Sequence, residues 1–148
     1  MQKSKVIVVD IDGVILNSDS ILKEIYDLKL RGDAMWSHFH ANCNGGRVSF
    51  LNNITSLLSS LDSSVEVVLS TSRNECCREE TEKRLHEEEL SYSKLYMRPA
   101  NDYRSSSEVK REHLKDIQKD YDVIAFIDDD LSNCQMAKDE GLLALRRV

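Results

Sequence analysis

The sequence predicts an α/β fold: a doubly wound, Rossmann-like parallel sheet with helices on both faces and a minimal cap. Three observations carry this. Short, continuous β-branched runs at 6–9, 65–69 and 123–127 read as buried parallel strands. Segments of helical spacing separate them, the alternation that builds parallel β-α-β units. Each run leads directly into polar residues of catalytic type: Asp10/Asp12, Thr71/Arg73 and Asp128/Asp129. In a parallel sheet such strand ends share one edge, where open α/β sheets place their ligands.

The elements follow in order. After the first strand, Ser18 or Asp19 caps a helix carrying Ile21, Leu22, Ile25 and Leu28. Residues 32–47, with Trp36, His38, Phe39, His40 and Gly45-Gly46, read as an irregular, lid-like insertion. Val48, Leu51, Ile54, Leu58 and Leu61 then stand at helical spacing. The strand at 65–69 ends in Ser70-Thr71-Ser72-Arg73. A charged helix over 74–89 keeps Cys77, Thr81 and Leu85 on one stripe. A short strand at 95–97 precedes a helix over 107–119 that carries Lys110, Leu114 and Ile117. The strand at 123–127 ends in Asp128-Asp129-Asp130, a short helix runs to a Gly141 cap, and 142–145 form a last strand.

Length and composition bound the rest. A chain of 148 residues suits one domain, 1–148, around one core. With 41% hydrophobic and 31% charged residues it reads as globular, and its apolar runs are too short to span a bilayer. The opening residues lead straight into a strand, so no secretory signal is expected. Cys76 and Cys77 are adjacent and poor disulfide partners; with Cys43 and Cys134 they suggest reduced thiols and a cytoplasmic protein. A net charge of −6 argues against strong binding along a nucleic-acid backbone, while leaving room for a local basic pocket.

Asp10 and Asp12 are the most informative pair. Residues i and i+2 of a strand point to the same side. Two carboxylates that close resist joint ionisation unless a cation or a shared proton relieves them. A bound Mg²⁺, an acid/base pair, or both would answer this. Bland readings stand beside the chemical ones. Thr71 suits a helix N-cap, Lys110 a solvated helix face, Arg73 a surface position and Asp130 a cap. Trp36 and Phe39 read as lid or core packing before a stacking platform, and His38, His40 and Cys43 match no common zinc spacing.

Taken together, these segments resemble the haloacid dehalogenase superfamily of phosphotransferases. Asp10-Ile11-Asp12-Gly13 is similar to its first motif, Thr71 to its second, Lys110 to the cation of its third, and Asp128-Asp129 with Asn133 to its acidic fourth. The resemblance implies a phosphomonoesterase with Asp10 as nucleophile, forming an aspartyl phosphate, and Asp12 as general acid and base. It implies Mg²⁺ held by Asp10, the Asp12 carbonyl and Asp129, with Asp128 assisting. Thr71 and Lys110 would hold the transferring phosphoryl group.

A narrower likeness concerns Ser70-Thr71-Ser72-Arg73, Leu95 to Pro99, Asp102-Tyr103-Arg104 and Val109-Lys110. These resemble the 3′-phosphatase domain of bacteriophage polynucleotide kinase–phosphatases. That likeness implies active-site roles for Ser72, Arg73 and Arg104, and a substrate phosphate carried by a nucleotide or nucleic-acid end. The chain departs from that pattern twice: Ser106 stands where the group has an acidic residue, and 14–30 lack its arginine. Arg31 and Arg47 are candidate substitutes. A mononucleotide phosphatase and a non-catalytic phosphate-binding module remain alternatives. A receiver-type phosphoacceptor fits less well, because Lys110 precedes the last acidic cluster.

Overall fold

A computed structural model describes residues 2–43 and 47–148. Among them, the elements are β1 Ser4–Val9, β2 Leu16–Asn17, α1 Asp19–Asp27, α2 Gly32–Asn42, β3 Ser49–Phe50, α3 Asn52–Ser59, β4 Val65–Asn74 and α4 Arg78–Glu87. There follow β5 Lys94–Arg98, α5 Ser106–Asp120, β6 Tyr121–Asp128, α6 Leu131–Asp139 and β7 Ala144–Arg146. The main sheet has the order β5-β4-β1-β6-β7, with every pairing parallel. This is the doubly wound α/β architecture that the alternation of strands and helices predicts. No helix among the described residues is long and apolar enough to cross a membrane.

The period-2 alternation of β1 sets the layers. Val6 and Val8 pack with Leu114 and Ile117 of α5 and with Met136 and Ala137 of α6. Ile7 and Val9 face the other way, toward Ile21 and Ile25 of α1, Phe39 of α2, Leu58 of α3 and Leu85 of α4. A strand buried on both faces must be apolar throughout, which is why residues 6–9 lack polar positions. Beside β1, a bulge shifts the register of β6: Val6 pairs with Val123 and Ile7 with Ala125.

Two segments differ from the sequence reading. Residues 32–42 are helical, not irregular. Met35, Trp36, Phe39 and Cys43 recur within one helical stripe against the core. Gly45 and Gly46, expected in the same insertion, lie outside the described residues. The expected helix over 48–61 is shorter. Ser49–Phe50 pairs antiparallel with Leu16–Asn17, and the Leu51 N–H donates to the Ile15 carbonyl at 2.8 Å. That backbone is committed before α3 begins. β4 is longer than expected and carries Thr71, Ser72 and Arg73 within the strand itself. Thr71 is therefore no helix cap; Asn74 caps the following 3₁₀ turn, Glu75–Cys77, by accepting from the Cys76 N–H at 3.0 Å.

Candidate active site

Three strand ends and one helix converge at the carboxyl edge of the sheet. The Asp10 N–H donates to the Ile127 carbonyl at 2.9 Å, continuing the β1–β6 ladder to the first carboxylate. The chain then turns tightly, with the Ile15 and Leu16 N–H groups both donating to the Ile11 carbonyl. Gly13 sits in the left-handed region at φ +85°, and a Cβ there would lie 2.1 Å from Asp129 Oδ2. The turn needs glycine twice, for its backbone conformation and for the approach of Asp129.

Lys110 ties two of these ends together. Its Nζ lies 2.8 Å from Asp10 Oδ1 and 2.5 Å from Asp128 Oδ2. The lysine is 1% exposed, so the solvated-face reading does not describe it. Its place follows from the start of α5, where Ser105 and Glu108 form a capping box that fixes the first turn. Asp128 also accepts from the Asp130 N–H at 2.9 Å and from Asn133 Nδ2 at 3.2 Å. Asp130 caps α6, accepting from the Asn133 N–H at 2.9 Å. Burial lowers the tendency of Lys110 to hold its proton, but Asp10 and Asp128 outweigh it and raise its pKa. Burial drives the Asp10 carboxyl well above the usual carboxylate range; Lys110 opposes this and the Asp128 charge adds to it. Asp129 is raised too, by burial and then by Asp128.

Asp12 has a different environment. Arg73 grips it bidentately, Nε to Oδ2 and Nη2 to Oδ1, both at 2.9 Å. The Ser18 hydroxyl donates to Asp12 Oδ1 at 2.5 Å, so Ser18 precedes α1 without capping it through its side chain. Burial opposes ionisation of Asp12, yet the Arg73 charge and these hydrogen bonds win, and its pKa falls below the usual value. Arg73 is fully buried. Its Nη1 also donates to Thr81 Oγ1 at 3.0 Å, and its guanidinium lies 5.3 Å from the Phe39 ring centroid. Thr71 is buried as well, with Oγ1 accepting from the Arg73 N–H at 3.1 Å.

Asp10, Asp12, Thr71, Ser72, Arg73, Lys110, Asp128 and Asp129 line one cavity of about 560 Å³. Arg104 does not line it. Its guanidinium is exposed and paired with Asp102 at 2.6 Å and Glu112 at 2.5 Å. Arg47 pairs with Glu24 outside the cavity, and Arg31 precedes α2. At the position of the acidic departure, Ser106 Oγ meets Ser72 Oγ at 2.5 Å and accepts from Asn133 Nδ2 at 3.1 Å. Ser18 and Arg146 carry no signal in the sequence for a place at the site, whereas Asn133 and Ser106 are marked by their spacing from Asp129 and Lys110. The opposite wall is apolar, formed by Leu22 and Ile25 of α1 and by Met35, Trp36 and Phe39 of α2.

The donor set suits a hard divalent cation. Asp10, Asp128 and Asp129 each place a carboxylate oxygen within 4.8 Å of the others. Asp10 and Asp129, whose proton affinity is raised, are groups in want of positive charge, and Lys110 pairs with Asp10 and Asp128. Oxygen-only ligands with room for water and phosphate match the way Mg²⁺ is held.

A family model described as the polynucleotide kinase PNKP phosphatase domain matches residues 4–146. A search of curated proteins finds no match. Two structures of a Pnkp1/Rnl/Hen1 complex, one described as an RNA repair complex, superpose with TM-scores of 0.78 and 0.75, each at 22% identity. They cover 98% and 99% of this chain, and 46% and 44% of their own. The chain thus spans less than half the length of those matches. A HAD-family enzyme from Bacteroides thetaiotaomicron, in complex with magnesium and inorganic phosphate, has a TM-score of 0.62 at 16% identity over 97% of this chain and 94% of its own. Its fold is shared; the metal and phosphate are that enzyme's.

Proposed function

We propose that this chain, which belongs to the polynucleotide kinase PNKP phosphatase-domain family and is a phosphatase, is an Mg²⁺-dependent phosphomonoesterase acting on nucleotides or polynucleotide 3′ ends. The observation that carries this reading is the division of labour between two neighbouring carboxylates. Asp10 is held by Lys110 at the floor of the cavity, and Asp12 is held by Arg73 and Ser18.

Asp10 is the nucleophile. Its carboxylate attacks phosphorus in line, the P–O bond to the leaving group breaks, and an aspartyl phosphate forms. Lys110 orients Asp10 and neutralises charge beside it, and Thr71, on the neighbouring strand β4, positions the phosphoryl group. Asp12 handles protons. Arg73 keeps it ionised at rest, the form that takes a proton from water attacking the aspartyl phosphate. A bound phosphate dianion brings like charge next to Asp12 and raises its proton affinity against the pull of Arg73. Asp12 takes up a proton from solvent as the phosphate binds, delivers it to the leaving oxygen, and regains one from the water that cleaves the aspartyl phosphate. Such transfer is worth about 10²–10⁴-fold. Asp10 and Asp129, with Asp128 and the Asp12 carbonyl, would hold Mg²⁺. The ion supplies the positive charge that lets an anionic carboxylate approach an anionic ester.

The apolar wall of α1 and α2 lines the same cavity as the acidic residues and is the surface available to an apolar part of the leaving group. Trp36 and Met35 offer a surface for a nucleobase, and the cavity has room for one nucleotide. The net charge of −6 favours a second reading, a free mononucleotide as substrate. The test compares phosphate release from a 3′-phosphorylated oligonucleotide with release from a panel of mononucleotides, at saturating Mg²⁺. The strand end is expected to be preferred. A preference for mononucleotides of about tenfold or more would reject it. Asp10→Asn should abolish turnover on every substrate, and near-normal activity in that variant would remove the covalent mechanism.

A further inference from the structure

An acidic cavity poses a problem for a nucleic-acid substrate, because its cations are already engaged. Lys110 is bound to Asp10 and Asp128, and Arg73 to Asp12. Arg146 differs. It lines the same cavity from the end of β7, is exposed, and forms no ion pair among the described residues. Its Nε donates to the Asp129 carbonyl at 3.0 Å. That single bond pins the stem of the side chain and leaves the rest of the donor fork of a guanidinium for a ligand.

The sheet register fixes where Arg146 stands. It is the Cα partner of Asp128, and Val9 is the partner of Ile127, so Asp10, Asp128 and Arg146 are level on adjacent strands. Arg146 therefore lies two strand spacings, roughly 10 Å, from the backbone of the nucleophile. Thr71 stands on β4, the side of Asp10 away from β7, while Lys110 bridges Asp10 and Asp128. The first residues of α6, Leu131 and Ser132, line the same cavity.

We infer that Arg146 binds a second anionic group of the substrate, one sugar away from the phosphate being transferred, and so sets specificity for a leaving group that itself carries phosphate. This rests on the phosphatase reading above. The shared chemistry is a phosphate on the 5′ side of the terminal nucleoside, as a free bisphosphate or as the phosphodiester of a strand. An arginine pinned through Nε loses little freedom when its terminal nitrogens take a phosphate, which favours bidentate capture.

The experiment measures kcat/KM for adenosine 3′-monophosphate, adenosine 3′,5′-bisphosphate and a diadenylate bearing a terminal 3′-phosphate. The protein is wild type, Arg146→Met or Arg146→Lys. The wild type should prefer the two substrates with a second phosphate. Arg146→Met should cut that preference by about fivefold or more, through KM and not kcat, and should weaken its dependence on salt. Arg146→Lys should retain part of it. Loss of the preference for the bisphosphate alone assigns the free nucleotide, and loss for both assigns the shared phosphate. An equal fall on all three substrates would overturn the inference, leaving Arg146 as an anchor of the Asp129 loop. Calorimetry of the Asp10→Asn protein with Mg²⁺ and the mono- or bisphosphate keeps the two readings apart. If the wild type hydrolyses nothing, the phosphatase reading falls, while the ratio of Kd values with and without Arg146→Met still decides the role of Arg146.

Discussion

In the proposed mechanism Arg73 serves the reaction without facing the reacting group. Its charge is directed at Asp12, buried and bidentate, so its proposed influence is exerted through the proton affinity of that carboxylate. Replacing it with methionine removes the main force that lowers the Asp12 pKa and leaves burial, which raises it. The acidic limb of the kcat–pH profile should then move to higher pH by about one unit or more, with Arg73→Lys in between. An unmoved limb would mean that Asp12 is not the group titrating. Stability has the matching sign. A depressed carboxylate contributes stability above its ordinary pKa of 3.8 that is lost as pH falls through the folded value, and the variant forfeits it. In the sequence, Arg73 is visible only as the second residue after Thr71. That spacing says which strand holds it. It says nothing of a partner on another strand, since the pairing is created by the parallel packing of β4 against β1.

At the scale of elements, α5 links the site to the core. His113, one turn after Lys110, is buried between Ser70 and Met97, with Nδ1 2.8 Å from Ser70 Oγ and Nε2 3.0 Å from the Met97 carbonyl. A carbonyl only accepts, so Nε2 carries the proton and Nδ1 accepts from the serine hydroxyl; the ring is neutral. Burial pushes its pKa down to about 4, from an ordinary 6.5. The unfolded chain then binds the proton first, so stability should drop by about 3 kcal/mol as pH falls from 6.5 to 4. Urea unfolding at stepped pH checks this, and His113→Gln should flatten that part of the curve. Not every element was as readable as α5, whose Lys110, Leu114 and Ile117 stand at helical spacing. α2 is hidden in the sequence because Trp, His and Phe are indifferent helix formers and its apolar stripe is interrupted by His38 and His40 in so short a segment. β2 and β3 were missed because two-residue strands leave no period to detect, only a pairing that forms once Leu51 reaches Ile15. The main strands and the acidic ends they deliver were legible, because burial on both faces demands long apolar runs.

For the whole molecule, the acidic cluster is a local cost that a cation would relieve. Three carboxylates crowd the end of the sheet, and Asp10 and Asp129 are both harder to ionise than usual. Mg²⁺ bound only by the folded state stabilises it by mass action, by about 2.7 kcal/mol at a hundredfold excess over Kd. For a domain of this size that is a rise in Tm of roughly 5–10 °C. Asp129→Asn should melt higher than wild type without metal and lose most of the metal-dependent rise. A full rise in that variant, followed by scanning calorimetry, would place the cation elsewhere.

The strand order has a kinetic consequence. β1 is the middle strand and the first to be synthesised, yet its partners are distant in the chain: Val9 pairs with Leu69, and Ser4 with Tyr121. Closing loops of that length delays pairing, and parallel sheets with such separated contacts fold slowly. Until β6 docks, Asp10 lacks the acidic strand end beside it. The cavity is therefore a late product of folding, and the return of phosphatase activity after dilution from denaturant reports the β1–β6 junction more faithfully than the return of helical signal.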